Sequence, residues 1–173
     1  MGADCEKKGV GVVHLHVHSD YSVLDGACKI YELLDRCNKF GMNACALTDH
    51  GNMFGAIEFY QAAKKKGIKP VIGCELYVAP THRTDKSAKS SHDSNHHFLM
   101  LCESTAGYHN LCKLSSLGYL EGWHYKPRVD DELIAKYSEG LIATSSCLGG
   151  RIPQAIMAGN LDAANEAVLK YIS

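Results

Sequence analysis

The chain has 173 residues, 46% of them hydrophobic, enough for one buried core. It is short of the about 250 residues of an eight-unit α/β barrel. Eighteen basic against nineteen acidic side chains leave a formal net charge of −1, so nothing in the global charge marks a nucleic-acid binder, and any such contact has to be local. Eight cysteines, at 5, 28, 37, 45, 74, 102, 112 and 147, form no C-x-x-C pair, and no eighteen apolar residues run together. That pattern predicts reduced thiols in a cytoplasmic protein and argues against secretion or a membrane span.

Residues 1–10 read as an amino-terminal extension, and 11–173 as one domain. The first strand is predicted over 12–18, where a period of two puts His14, His16 and His18 on one face and Val13, Leu15 and Val17 on the other. A helix follows over 27–39, with Ala27, Ile30, Leu33, Leu34 and Cys37 on one side and Gly41 as its stop. After a strand over 43–48, a helix over 53–66 carries Phe54, Ile57 and Tyr60 at helical spacing. It ends in Lys64-Lys65-Lys66-Gly67, where the lysines suit the helix dipole. Strands are predicted over 71–78 and 97–102, separated by a polar loop from Thr81 to Asn95 whose one apolar residue is Ala88. A helix over 105–118, a short one over 130–137, a strand over 141–146 and a helix over 161–172, with Leu161, Ala164, Val168 and Ile172 on one face, complete the chain. Strands alternating with helices predict repeated βα units. The last predicted helix runs to Ser173 with no closing strand, so the expected domain is an incomplete barrel.

The strand ends carry the chemistry. Alternating His16 and His18, then His50 after the second strand and Glu75 late in the third, place imidazoles and a carboxylate where the rim of a βα sheet collects functional groups. Imidazole with carboxylate suits zinc, manganese or iron, and a carboxylate shared between two ions offsets their repulsion. The chemistry implied is metal-assisted hydrolysis, in which water is the nucleophile and no serine is needed. Ser19, Ser22 and Thr48 are therefore assigned to local hydrogen bonding.

Bland readings stand beside the sharp ones. His14 is better read as structural; Asp25 also suits a helix cap, and Cys147 a small buried hydrophobe. His97 is weakened by its place at a strand start, and Asp49 suits an orienting role better than direct ligation. The lysines at 64–66 read as a solvated helix end. Arg83, Lys86 and Lys89 read first as a solvated loop and second as a guide for a phosphate backbone. Trp123, Tyr125, Lys126 and Arg128 form a modest nucleic-acid candidate, rings for bases and cations for phosphates.

Several stretches resemble the PHP (polymerase and histidinol phosphatase) superfamily. These are His14-Leu15-His16-Val17-His18-Ser19-Asp20-Tyr21-Ser22, Ala46-Leu47-Thr48-Asp49-His50-Gly51-Asn52-Met53-Phe54-Gly55 and Gly67-Ile68-Lys69-Pro70-Val71-Ile72-Gly73-Cys74-Glu75. Tyr125-Lys126-Pro127-Arg128-Val129-Asp130 and Ser145-Ser146-Cys147-Leu148-Gly149-Gly150 resemble its polymerase branch, the amino-terminal region of bacterial DNA polymerase III alpha subunits.

The resemblance implies a distorted (βα)7 TIM-like barrel whose rim holds up to three divalent ions, zinc or manganese with iron as an alternative. It carries over His16, His18, Asp25, His50, Glu75, His97 and Cys147 as ligands, with His16, His18 and Glu75 as the catalytic core, and leaves His14 outside the set. The family completes its site with a later Asp and His beyond Ser173. In such relatives the domain can remove a mispaired 3′ nucleotide, while a separate magnesium-dependent palm synthesises DNA on a primer-template among other replisome subunits. Two alternatives are a free-standing histidinol-phosphatase-like phosphoesterase, against which the polymerase-like run from Tyr119 to Gly150 argues, and a non-catalytic structural domain.

Overall fold

The computed structural model describes residues 11–23, 25–87 and 95–172. The expected extension over 1–10 and part of the polar loop, residues 88–94, lie outside them. In chain order the elements are α1 (Ile30–Lys39), β1 (Ala44–Leu47), α2 (Ala56–Lys65), β2 (Lys69–Val78), β3 (His96–Cys102), α3 (Thr105–Leu120), β4 (Arg128–Val129), α4 (Asp131–Lys136), β5 (Leu141–Thr144), α5 (Arg151–Met157) and α6 (Leu161–Ile172). Two of these, β4 and α5, have no counterpart in the sequence reading.

The result is a mixed α/β sheet in the order β1-β2-β3-β5, with β4 beside β2. β1 and β4 run parallel to β2, but β3 is antiparallel to both β2 and β5. This corrects the expectation of uniformly repeated βα units. No helix lies between β2 and β3 among the described residues, so the chain reverses directly instead of crossing over.

Alternation along β2 divides its side chains between two tasks. Cys74, Leu76 and Val78 enter a core with Phe98 and Met100 of β3, Leu111 and Leu114 of α3, and Leu133 and Ile134 of α4. Glu75 and Tyr77 point to the opposite face. A second core joins Ile30, Leu34 and Cys37 of α1 to Cys45 and Leu47 of β1 and Phe59, Ala62 and Ala63 of α2. Each fully buried Leu or Phe in these clusters contributes about 1.5–3 kcal/mol.

Helix ends follow local chemistry. Ser104 and Asp130 cap α3 and α4, their side-chain oxygens accepting from the amides of Gly107 and Leu133 at 3.1 Å each. Gly41 takes φ 67° beyond α1, the left-handed conformation that lets the amide of Met42 reach back to the carbonyl of Cys37.

Three faces differ from expectation. The stretch 12–18, expected as the first strand, forms no strand ladder. The carbonyls of His14 and Val17, three residues apart, accept from the amides of Ala46 and Thr48, two apart, and the Thr48 hydroxyl takes the Val17 amide. Val13 and Leu15 are exposed, so the face opposite the histidines is not a core face over its whole length. On α2 the spaced residues Ile57 and Tyr60 face solvent, while Phe59 and the small Ala62 and Ala63 pack inward; close helix packing selects the small side chains. On α6 only Ala164 and Ala167 are buried, and Leu161 and Ile172 are exposed.

Candidate metal centre

Because β3 opposes β2, its first residues lie beside the last residues of β2: His97 is the register partner of Tyr77. The start of β3, the end of β2, the turn after β1 and the loop after β5 therefore share one rim. His97, whose position at a strand start argued against it, reaches the site for this reason.

Glu75 is the hub, 1% exposed. Its Oε2 lies 2.9 Å from His16 Nε2, 3.1 Å from His18 Nε2 and 3.2 Å from His50 Nδ1. Its Oε1 lies 3.1 Å from His97 Nδ1 and accepts from the Ser146 hydroxyl. Asp25 Oδ2 is 2.7 Å from His50 Nε2, and Cys147 Sγ is 3.4 Å from His97 Nδ1. All seven candidate ligands thus meet in one cluster. His14 is exposed and outside it.

The imidazoles pack as closely as they hydrogen-bond. His18 and His50 stack with centroids 4.1 Å apart, and His50 in turn stacks on Tyr77 at 5.5 Å. Burial alone would raise the Glu75 carboxyl, but hydrogen bonds from His16, His18, His97 and Ser146 outweigh it and hold the group far below the usual carboxylate range. Burial works to lower His18, yet the bond to Glu75 and its charge raise it. At His50 burial wins and favours the neutral ring.

The donor set fits divalent metal. Two overlapping trios, His16-His18-Glu75 and His50-Glu75-His97, each bring three ligand atoms within 4.8 Å of one another, with Glu75 common to both. The buried Nδ1 atoms of His18 and His50 have no hydrogen-bond partner, and the His50 atom, although near Glu75, lies outside hydrogen-bonding geometry. A neutral imidazole nitrogen left bare beside an anionic carboxylate is the chemistry a cation satisfies.

Supporting residues are equally defined. Asp49 is buried and accepts from the Ser19 amide at 2.6 Å and from the hydroxyls of Ser19 and Ser22. The Ser22 hydroxyl accepts from the His50 amide at 2.9 Å. Asp49 therefore acts through the loop that carries His50 and is not one of the convergent donors; burial raises its carboxyl, opposed by these bonds. Thr48 bonds locally to Val17.

Sequence reasoning missed Ser146 and Tyr77. Ser146 occupies φ 62°, a left-handed conformation that spacing does not reveal.

Two basic readings change. Arg83 binds Glu121 at 2.6 Å and Asp130 at 2.9 Å, so its charge is already engaged. Arg128 is 1% exposed and donates to the carbonyls of Gly122, Arg83 and Asp85, which removes it from any phosphate-binding surface. Of the Trp123–Arg128 group, Lys126 keeps a cation near the site, its Nζ 5.2 Å from the Tyr77 ring centroid. Among the described residues no helix is long and apolar enough to cross a membrane.

Comparison with known proteins places the chain in a family. The chain is 50% identical over 159 residues to DNA polymerase III subunit alpha of Borreliella burgdorferi, and equally to that of Treponema pallidum; both alignments cover 92% of this chain. The chain spans 14% of the length of these relatives. Among solved structures it is similar to an amidohydrolase from Chromobacterium violaceum, at 28% identity and TM-score 0.44 over 62% of this chain and 33% of that one. The PHP domain model matches residues 14–173, and the chain belongs to the PHP domain family.

Proposed function

We propose that this chain is the PHP region of a bacterial DNA polymerase III alpha subunit and that its rim is a metal-dependent phosphoesterase site acting on the 3′ end of DNA. The polymerase assignment is supported by the 50% identity to relatives of that name. The observation that carries the chemistry is the convergence of four imidazoles on one buried carboxylate, Glu75. His16, His18, Asp25, His50, Glu75, His97 and Cys147 hold zinc or manganese, with iron as the alternative; His16, His18 and Glu75 form its catalytic core. Bound divalent ions supply Lewis-acid polarisation of a phosphate and acidify water.

The chain's own residues prepare that chemistry. Glu75 offers two oxygens to the two imidazole groups, which suits a bridging carboxylate. Asp25 orients His50 from the outer side, while Asp49 and Ser22 fix the His50 main chain. In the reaction proposed, water adds to the terminal phosphodiester, the bond to the preceding 3′ oxygen breaks, and a 5′ mononucleotide leaves. Primer-template DNA and replisome subunits are the partners of the parent protein, whose synthesis would use magnesium elsewhere. The finer architecture is proposed as the amino-terminal portion of a distorted (βα)7 barrel, supported by the family match.

Elemental analysis after zinc or manganese loading tests the site: the unaltered chain retains metal, and the His16→Ala/His18→Ala double variant loses most of it. Equal stoichiometry in both overturns the ligand assignment. Product analysis of the full-length parent protein, with its polymerase centre disabled, tests the activity; mononucleotides support it, and internal cleavage or released inorganic phosphate contradicts it.

A further inference from the structure

A cleft of about 280 Å³ opens directly on the metal centre, with His50 and Asp25 in its wall. Its remaining lining is dominated by rings, among them Tyr21, Phe54, Tyr119, Trp123 and Tyr125. Phe54, Tyr119, Trp123 and Tyr125 are exposed. Trp123, 50% exposed, stacks on Tyr119 with centroids 5.7 Å apart and planes at 20°, and Phe54 meets Tyr119 at 6.3 Å.

The backbone supplies a second, independent observation. Tyr125 has φ 61°, a conformation that a bulky L residue adopts at a cost. A tight main-chain reversal, His124 amide to Lys126 carbonyl at 3.1 Å, holds it there and brings its ring into the cleft. Strain of this kind persists where the surrounding fold imposes it and collects at ligand sites. The Tyr125 ring meets His124 edge to face with centroids 4.5 Å apart and is 53% exposed.

Charge decides what the cleft receives. With Arg128 buried against carbonyls and Arg83 bound to carboxylates, the cation in this wall is Lys126, and Asp25 offsets it. A groove that gripped several phosphates would need more cations. Flat aromatic faces beside a phosphoesterase centre fit an unpaired nucleobase, which stacks whatever its identity.

We propose that this cleft is a nucleobase subsite: the terminal base of a single-stranded DNA 3′ end stacks on Trp123 and Tyr119, against Tyr125, and Lys126 meets its phosphate. The proposal rests on the phosphoesterase reading for the identity of the substrate, but base stacking needs no metal and is measured separately.

Trp123 is the sole tryptophan of the chain, so its emission reports on the subsite directly. Metal-free protein, in which no phosphodiester is cut, is titrated with a short oligothymidylate and with an abasic strand of equal phosphate count. The oligothymidylate is expected to quench Trp123 and bind about tenfold more tightly than the abasic strand. Trp123→Ala is expected to weaken oligothymidylate binding about tenfold in a fluorescence-anisotropy titration, and Trp123→Phe, which keeps a ring, by about twofold or less. Equal binding of the two strands, or unchanged emission at saturation, overturns the subsite. Quenching and base preference in this chain, together with no metal retention and no cleavage by the metal-loaded full-length parent protein, supports the subsite and refutes the phosphoesterase reading. Cleavage without base preference does the reverse.

Discussion

His97 and Tyr77 face each other across the antiparallel ladder of β2 and β3, and their rings meet edge to face with centroids 5.2 Å apart. One strand reversal thus delivers an imidazole from the beginning of β3 to the place where β2 delivers Glu75. The consequences for metal binding and stability can be measured residue by residue.

Glu75→Gln retains the shape of the hub and removes its charge. An amide also replaces one acceptor oxygen with a donor, which the surrounding imidazoles do not match. Metal affinity is expected to fall by more than about tenfold in isothermal titration with zinc or manganese. An unchanged affinity would remove Glu75 from the centre of the ligand set.

Asp49→Ala deletes the acceptor for one amide and two hydroxyls in a buried setting. Leaving those donors bare costs about 2–3 kcal/mol, read from denaturant melts of the metal-free protein. His50 loses support for its main chain through Ser22, so metal affinity is expected to drop as well. Asp49→Ala with full stability would show that water replaces the carboxylate at no cost.

Acid is expected to destabilise the chain in part through Asp130 and Asp131. Burial works to raise both carboxyls, but hydrogen bonds from the Arg83 and Leu133 amides and the Arg83 guanidinium lower Asp130, and bonds from Lys170 and Arg151 lower Asp131. A carboxyl lower in the folded than in the unfolded chain contributes stability above its unfolded value of about 3.9, and that contribution is lost as pH falls through the folded value. Melts taken from neutral pH downward should lose stability below about pH 4, and Asp130→Asn should flatten part of that slope. An identical slope in Asp130→Asn would assign the acid dependence elsewhere.

Tyr125→Asn places a residue tolerant of left-handed backbone at φ 61°. The variant is expected to gain about 0.5–1 kcal/mol in thermal or denaturant melts. It should also bind oligothymidylate more weakly than the unaltered chain. A loss of stability would mean that the ring contributes more by packing than the backbone costs.

The convergence of the candidate residues was legible because alternate histidines and strand-end carboxylates have a direct geometric meaning. The direction of β3 was the hidden part: periodicity locates a strand but is indifferent to its sense. The helix-free stretch between β2 and β3 carried the needed signal, since a parallel return requires a crossover. β4, two residues long, is too short to show a period, and α5 buries none of its residues. On α2 the larger apolar residues marked the wrong face because the inward one is built partly from alanine. Ser146 reaches Glu75 through a positive φ, which residue type alone does not announce.

The buried guanidinium of Arg128 has a mechanical meaning. It grips the Gly122 carbonyl, one residue before Trp123, together with the carbonyls of Arg83 and Asp85 in another loop. Three stretches of chain are riveted at one point, so the aromatic wall and the loop carrying Arg83 and Asp85 share their thermal motion. A force applied to either is borne by both, and the tolerance of one loop to change is limited by the needs of the other.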